Sequence, residues 1–200
     1  MTGRYADADT DVRAARRALG QTRDEQYALT LLYADALVAL GRGDLDTARR
    51  LTADGLADHG GAMSGRYVWP VLWLASRTEA DGATRARDRR EEVPDRAAAR
   101  YQELASLAAD LTTPSAASRG YRALVAAELA RATGEADVIA WQAAAEAWQT
   151  AAEPYPLAYA WLRLAEVVAA AGDRQAAGHG IRQAPMRWPR RPRTRWPGSG

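Results

Sequence analysis

Apolar residues recur at three- and four-residue steps along most of this chain, and several of these runs end in a glycine followed closely by an acid. Leu29, Leu32, Tyr33, Ala36, Leu37 and Leu40 make one stripe, which Asp24 is placed to cap. Gly43 ends that run, and Asp44 opens a partner with Leu45, Ala48, Leu51, Leu56 and Ala57. A second pair is predicted to begin near Gly65 with a helix that runs to about Asp81-Gly82, Pro70 marking the start of that helix because proline lacks an N–H to donate. The charged block from Arg85 to Glu92 reads as a solvated turn or linker helix, and Pro94-Asp95 restarts a helix bearing Tyr101, Leu104, Ala108 and Leu111. Thr113-Pro114 opens a helix striped by Tyr121, Leu124, Val125 and Leu129. After Gly134-Glu135 comes one with Val138, Trp141, Ala144, Ala145 and Trp148, closed by Glu153-Pro154-Tyr155-Pro156. Leu157, Trp161, Leu164, Ala165 and Val168 stripe the next, and Gly172-Asp173 begins one that Gly178, Gly180 and Pro185 cut short.

Glycine closes a helix at low steric cost, and the acid beside it favours the positive end of the helix that follows. A returning helix, glycine, acid, helix unit predicts an all-α chain: a tetratricopeptide-like stack of about four antiparallel helical hairpins, that is, a right-handed α-solenoid. The predicted turn glycines stand at 43, 82, 134 and 172, a looser spacing than the ~34-residue period of a regular array. On this reading residues 1–23 are a polar, weakly ordered lead-in, 24–184 the repeat domain, and 185–200 a disordered tail.

Composition removes several kinds of chemistry. The chain has no cysteine, which excludes disulfides, thiol catalysis and thiolate-bound zinc. All 27 basic residues are arginine, so there is no P-loop or Schiff-base lysine. His59 and His179 stand 120 residues apart with no third ligand in view, and no metal or cofactor is expected. Glu128, Glu146 and Glu166 sit in mid-helix among alanines, where solvation or pairing with Arg131, Arg122 or Arg163 is expected in place of acid or base catalysis. No apolar run reaches the ~18 residues of a membrane helix, and a cytoplasmic protein is expected. The net charge of +2 hides an asymmetry: residues 182–200 hold six arginines and no acid, leaving 21 arginines against 25 carboxylates before them.

Three segments carry a family likeness: Arg23-Asp24-Glu25-Gln26-Tyr27-Ala28-Leu29, Arg66-Tyr67-Val68-Trp69-Pro70-Val71-Leu72-Trp73, and the stretch from Pro154-Tyr155-Pro156-Leu157 through Trp161-Leu162-Arg163-Leu164-Ala165-Glu166. In this order they resemble the tetratricopeptide-like helical region of the large ATP-binding LuxR-type transcriptional regulators, over roughly residues 21–184. The resemblance implies a non-catalytic scaffold that binds a protein or small-molecule effector and relays that signal to a switch domain. Neither the ATPase nor the helix-turn-helix of such regulators is carried over, since no glycine-lysine phosphate loop exists and nothing after residue 184 reads as a helix-turn-helix. Alternatives are a stand-alone adaptor, or a nucleic-acid binder using the Arg-Trp-Pro tail. Translating Met186-Arg187-Trp188-Pro189 and Arg195-Trp196-Pro197 in the shifted frame gives alanine and leucine pairs at arginine codons of high GC content, so the tail is read as frame-shifted.

Among the seven tryptophans, Trp69, Trp73, Trp141, Trp148 and Trp161 sit at helical spacing and are expected mainly in the core. Tyr67, Trp69, Trp73 and Trp161 fall on the first helices of their hairpins, which line the concave side of tetratricopeptide arrays, and are the groove candidates. A truncated array also exposes apolar ends, which would promote pairing of two copies.

Overall fold

The computed structural model describes residues 5–20, 24–57, 65–94, 96–135, 137–170 and 172. These residues form eight helices, and no strand occurs among them: α1 (Tyr5–Leu19), α2 (Glu25–Arg42), α3 (Leu45–Ala57), α4 (Gly65–Arg89), α5 (Arg96–Asp110), α6 (Ala116–Thr133), α7 (Val138–Ala151) and α8 (Pro154–Ala170). The chain is all-α. His59, His179, the helix expected after Gly172-Asp173 and the tail of 185–200 lie outside the described residues.

The caps follow the sequence closely where side chain and backbone chemistry coincide. The Asp24 carboxylate accepts from the Gln26 N–H at 3.0 Å and Asp44 from the Thr47 N–H at 3.0 Å. Gly43 and Gly134 adopt left-handed backbone (φ +78° and +93°), each with paired bonds back to the last turn. The start expected at Thr113-Pro114 falls slightly later, because Ser115 and Ser118 form a reciprocal capping box.

Helix α4 departs most from expectation. It does not stop at Gly82 but runs 25 residues to Arg89, and Pro70 lies inside it, not at its first position. Gly82 is therefore a mid-helix residue, packed beside Arg49 and Leu45, and of the block expected as a turn or linker helix most is helical, as the last turn and a half of α4 itself. The stop occurs at Arg90, which takes the left-handed conformation (φ +58°) with Glu91 N–H bonded to the Ala86 carbonyl at 2.9 Å. The geometry is the one seen at Gly43 and Gly134, but an arginine occupies the glycine position, so the turn carries no glycine signal.

Residues 5–19, expected as a polar lead-in, form α1, which buries no residue of its own. It lies on α2, with the Tyr5 ring over Gly41 and with ion pairs from Arg16 to Asp35 and from Arg42 to Asp9.

Each helix packs on its chain neighbour, and α2 and α6 both pack on α4 as well. Arg85 Nη1 donates to the Gly43 carbonyl at 2.9 Å, while Arg87 donates to the carbonyls of Ala132 at 2.9 Å and Arg131 at 2.7 Å. The C-terminal end of α4 thus supplies donors to the terminal carbonyls of α2 and α6, and the three helices run side by side in one direction. Between them and α7 and α8 lies one main core around Trp69, Trp73, Trp141 and Trp148, all fully buried.

Candidate functional site

Helices α4, α6 and α8 bring together a charged and aromatic cluster that begins with residues spaced for one helical face: Arg77 and Asp81, Glu128 and Arg131, Tyr159 and Arg163. The Glu128 side chain has no exposed surface. It accepts from the Tyr159 hydroxyl and from Arg131 Nε at 2.8 Å. Asp81 accepts from Arg131 Nη2 at 2.7 Å and from Arg163 Nη2 at 3.3 Å, and lies 3.7 Å from Arg77 Nε. Arg163 also donates Nε to the Tyr159 oxygen at 3.1 Å and Nη1 to Glu166 at 2.8 Å.

Tyr159 is held between two guanidinium groups, with Arg77 4.6 Å and Arg163 5.1 Å from its ring centroid. Burial, and after it the Glu128 carboxylate, raise its pKa far above that of a free phenol, so it stays a hydrogen-bond donor at neutral pH. Burial works against the charges of Arg131 and Arg163, but neighbouring groups, Glu128 among them, more than offset it and their pKa values rise. All three arginines are fixed positive charges.

The surface extends toward α2. Burial raises Tyr33 and Tyr121, whose hydroxyls approach each other from α2 and α6, and Tyr155 of α8 lies near enough to act on both electrostatically. Tyr121, tilted, and Tyr159, edge-on, pack against Trp73 at centroid distances of 5.9 and 5.3 Å, and Tyr121 meets Trp148 edge-on at 4.7 Å. Two of the Arg77 N–H groups, Nε and Nη1, are buried without a hydrogen-bond partner among the described residues. The Tyr159 hydroxyl and most of the guanidinium N–H groups are already committed inside the cluster, and what it leaves at the surface are the aromatic faces of half-buried Tyr33 and Tyr121 and of exposed Tyr155, beside fixed positive charge. Among the described residues no three metal-ligating side chains converge.

The four groove candidates do not share a surface. Trp69 and Trp73 have no exposed area, because α2, α3, α5 and α6 enclose α4; the Trp69 Nε1–H is already committed to the Thr112 carbonyl at 2.9 Å. Tyr67 is half-buried against the small cluster of Leu29, Val68 and Val71, with the Arg66 guanidinium 5.7 Å from its ring, while Trp161 packs partly buried on the main core. Sequence reasoning weighed Glu128 with Arg131 and Glu166 with Arg163 as local pairs, and both pairs form. It missed that Asp81 and Tyr159 join them across three helices. The available signal was a charged residue recurring inside an apolar stripe.

Comparison with family models, with curated proteins and with solved structures finds no match to this chain. No helix among the described residues is long and apolar enough to cross a membrane.

Proposed function

We propose that this chain is a non-catalytic helical-repeat scaffold, a right-handed tetratricopeptide-like array that binds a protein or small-molecule effector in the cytoplasm. It derives from the helical region of a LuxR-type transcriptional regulator. The observation that carries the reading is the parallel course of α2, α4 and α6, whose C-terminal ends are joined by Arg85 and Arg87. Alternate helices that run parallel, each connected through an antiparallel partner, are what stacked hairpins produce. On this reading the first helices are α2, α4, α6 and α8. Their shared face presents Tyr33, Tyr121 and exposed Tyr155 over the buried arginine cluster, and it replaces the tryptophan groove as the docking surface.

Two experiments test the proposal. Flanking DNA that encodes a nucleotide-binding motif upstream and an out-of-frame helix-turn-helix downstream supports regulator origin; an isolated gene with neither leaves a stand-alone adaptor. A photo-reactive residue at exposed Tyr155 should cross-link a partner in the cell, whereas the same group at Ile139, exposed on α7, should not. Equal labelling at the two positions, or none, rejects the docking face.

A further inference from the structure

We infer that the cleft between α3, α4 and α5 is a binding site for a small organic anion, a carboxylic acid with a compact apolar body, an assignment that rests on the effector-binding reading above. Helices α3 and α5 both pack on α4, and the space between them is a cleft of about 580 Å³. That is the size of ordinary small-molecule sites, roughly 300–1,000 Å³. Its apolar lining includes Ala53 from α3, Ala83 and Ala86 from α4, Val93 and Pro94 from the connector, and Ala97 from α5. Small side chains on three walls leave room for a ring or short chain, and Gly82 adds no side chain.

The polar groups of the cleft select the sign of the ligand. Glu79 is occupied by Arg49, through Nε at 2.9 Å and Nη2 at 3.3 Å, and Glu103 by Arg100 at 2.8 Å. Both carboxylates therefore have cations of their own. Arg96 lines the same cleft and has no ion-pair partner among the described residues, and the Tyr101 hydroxyl has no hydrogen-bond partner among them. Burial, and then the Glu79 carboxylate, raise the Tyr101 pKa, keeping its proton available to donate. Three arginines against two carboxylates leave the lining one positive charge in excess, at exposed Arg96, and Arg96 and the Tyr101 hydroxyl offer donors at the open side of the cleft to a carboxylate head whose apolar body turns inward.

The test is calorimetric titration of the full chain with 3-phenylpropionate and with the uncharged 3-phenylpropionamide. The acid should bind saturably at one site, and the amide about tenfold or more weakly, because a charge-assisted hydrogen bond is lost. Arg96→Gln, at an exposed position where folding is not at stake, should weaken the acid by about tenfold, and Tyr101→Phe by about fivefold. Ala53→Leu, which fills the cleft, should abolish binding while circular dichroism stays unchanged. Failure of the acid to saturate, equal binding of acid and amide, or an Arg96→Gln titration like that of the parent would overturn the assignment. Because the cross-link at Tyr155 reads a different face, it still reports on the scaffold if the cleft proves empty.

Discussion

Helix α4 has two flanks that its neighbours close differently. On one, Arg77 and Asp81 meet Arg131, Glu128, Tyr159 and Arg163, and buried charges and rings fill the space to α6 and α8. On the other, Glu79, Gly82, Ala83 and Ala86 face α3 and α5 across an open cleft. The difference lies in side-chain length. Long arginines and tyrosines fill the gap on the first flank, while on the second one bridge from Arg49 to Glu79 crosses and Gly82, Ala83 and Ala86 leave the rest open. Specificity of packing therefore resides on the charged side, and free volume on the alanine side.

The sharpest way to break the comparison is to unpair the closed flank. Glu128→Ala leaves Arg131 buried without its main carboxylate and Tyr159 without an acceptor, and should cost about 3–5 kcal/mol in urea unfolding. Glu128→Gln keeps an acceptor for the tyrosine and should cost less; equal losses would show that the hydrogen bond contributes nothing.

Alkaline pH attacks the same flank. Burial first, and the Glu153 carboxylate second, push Tyr121 up to about 12, whereas an unfolded tyrosine titrates near 10. A raised native pKa means the contribution is complete below about pH 10 and is lost as pH climbs through about 12, a loss of about 2–3 kcal/mol from this residue. Tyr33 and Tyr159, raised likewise by burial, steepen the limb. Stability measured from about pH 9 to 12 should fall steeply, and less so in Tyr121→Phe.

Glycines then separate the flanks by sign. An added Cβ at Gly120 would stand 2.7 Å from the Trp148 ring, so Gly120→Ala should lose about 1–3 kcal/mol despite its better helix propensity. At Gly82 the nearest atoms are Arg49 Nη2 at 3.3 Å and Leu45 Cδ1 at 3.8 Å. Gly82→Ala should accordingly be neutral or gain up to about 1 kcal/mol. A loss at Gly82 as large as that of Gly43→Ala, where φ is +78°, would restore it as a turn residue.

The smallest effect concerns the residue that ends α4. Arg90 holds a left-handed backbone (φ +58°) that glycine adopts without strain, so Arg90→Gly should raise the unfolding midpoint by an amount worth about 1 kcal/mol. No gain would mean that the Arg90 side chain contributes as much as its backbone costs.

The all-helical class and most helix starts were legible, because Asp24, Asp44, Gly43 and Gly134 do locally what their chemistry favours. Helix α4 was misread for a local reason as well: a glycine stood where the helix continued, and an arginine stood where it stopped. Proline in mid-helix misled in the same way, since the rest of α4 is enclosed by other helices and their packing outweighs local preference. The candidate site was less legible. Glu128 and Arg131 are adjacent on one helix and can be paired on paper, but Asp81 and Arg163 are 82 residues apart and meet only because the fold lets a long side chain from α8 reach α4. The cleft left no signature at all, because alanines that line a space read the same as alanines that pack.

The enclosure of α4 also sets how the molecule opens. Twelve of its residues are buried against four other helices, whereas α1 buries none, so amide deuterium uptake should be slowest from Leu72 to Ala80 and report global unfolding there. Along α1 exchange should be early and should quicken with added salt, since its ion pairs to α2 are screened and few apolar contacts replace them. The first helix would then come and go as a separate unit while the remainder exchanges as one.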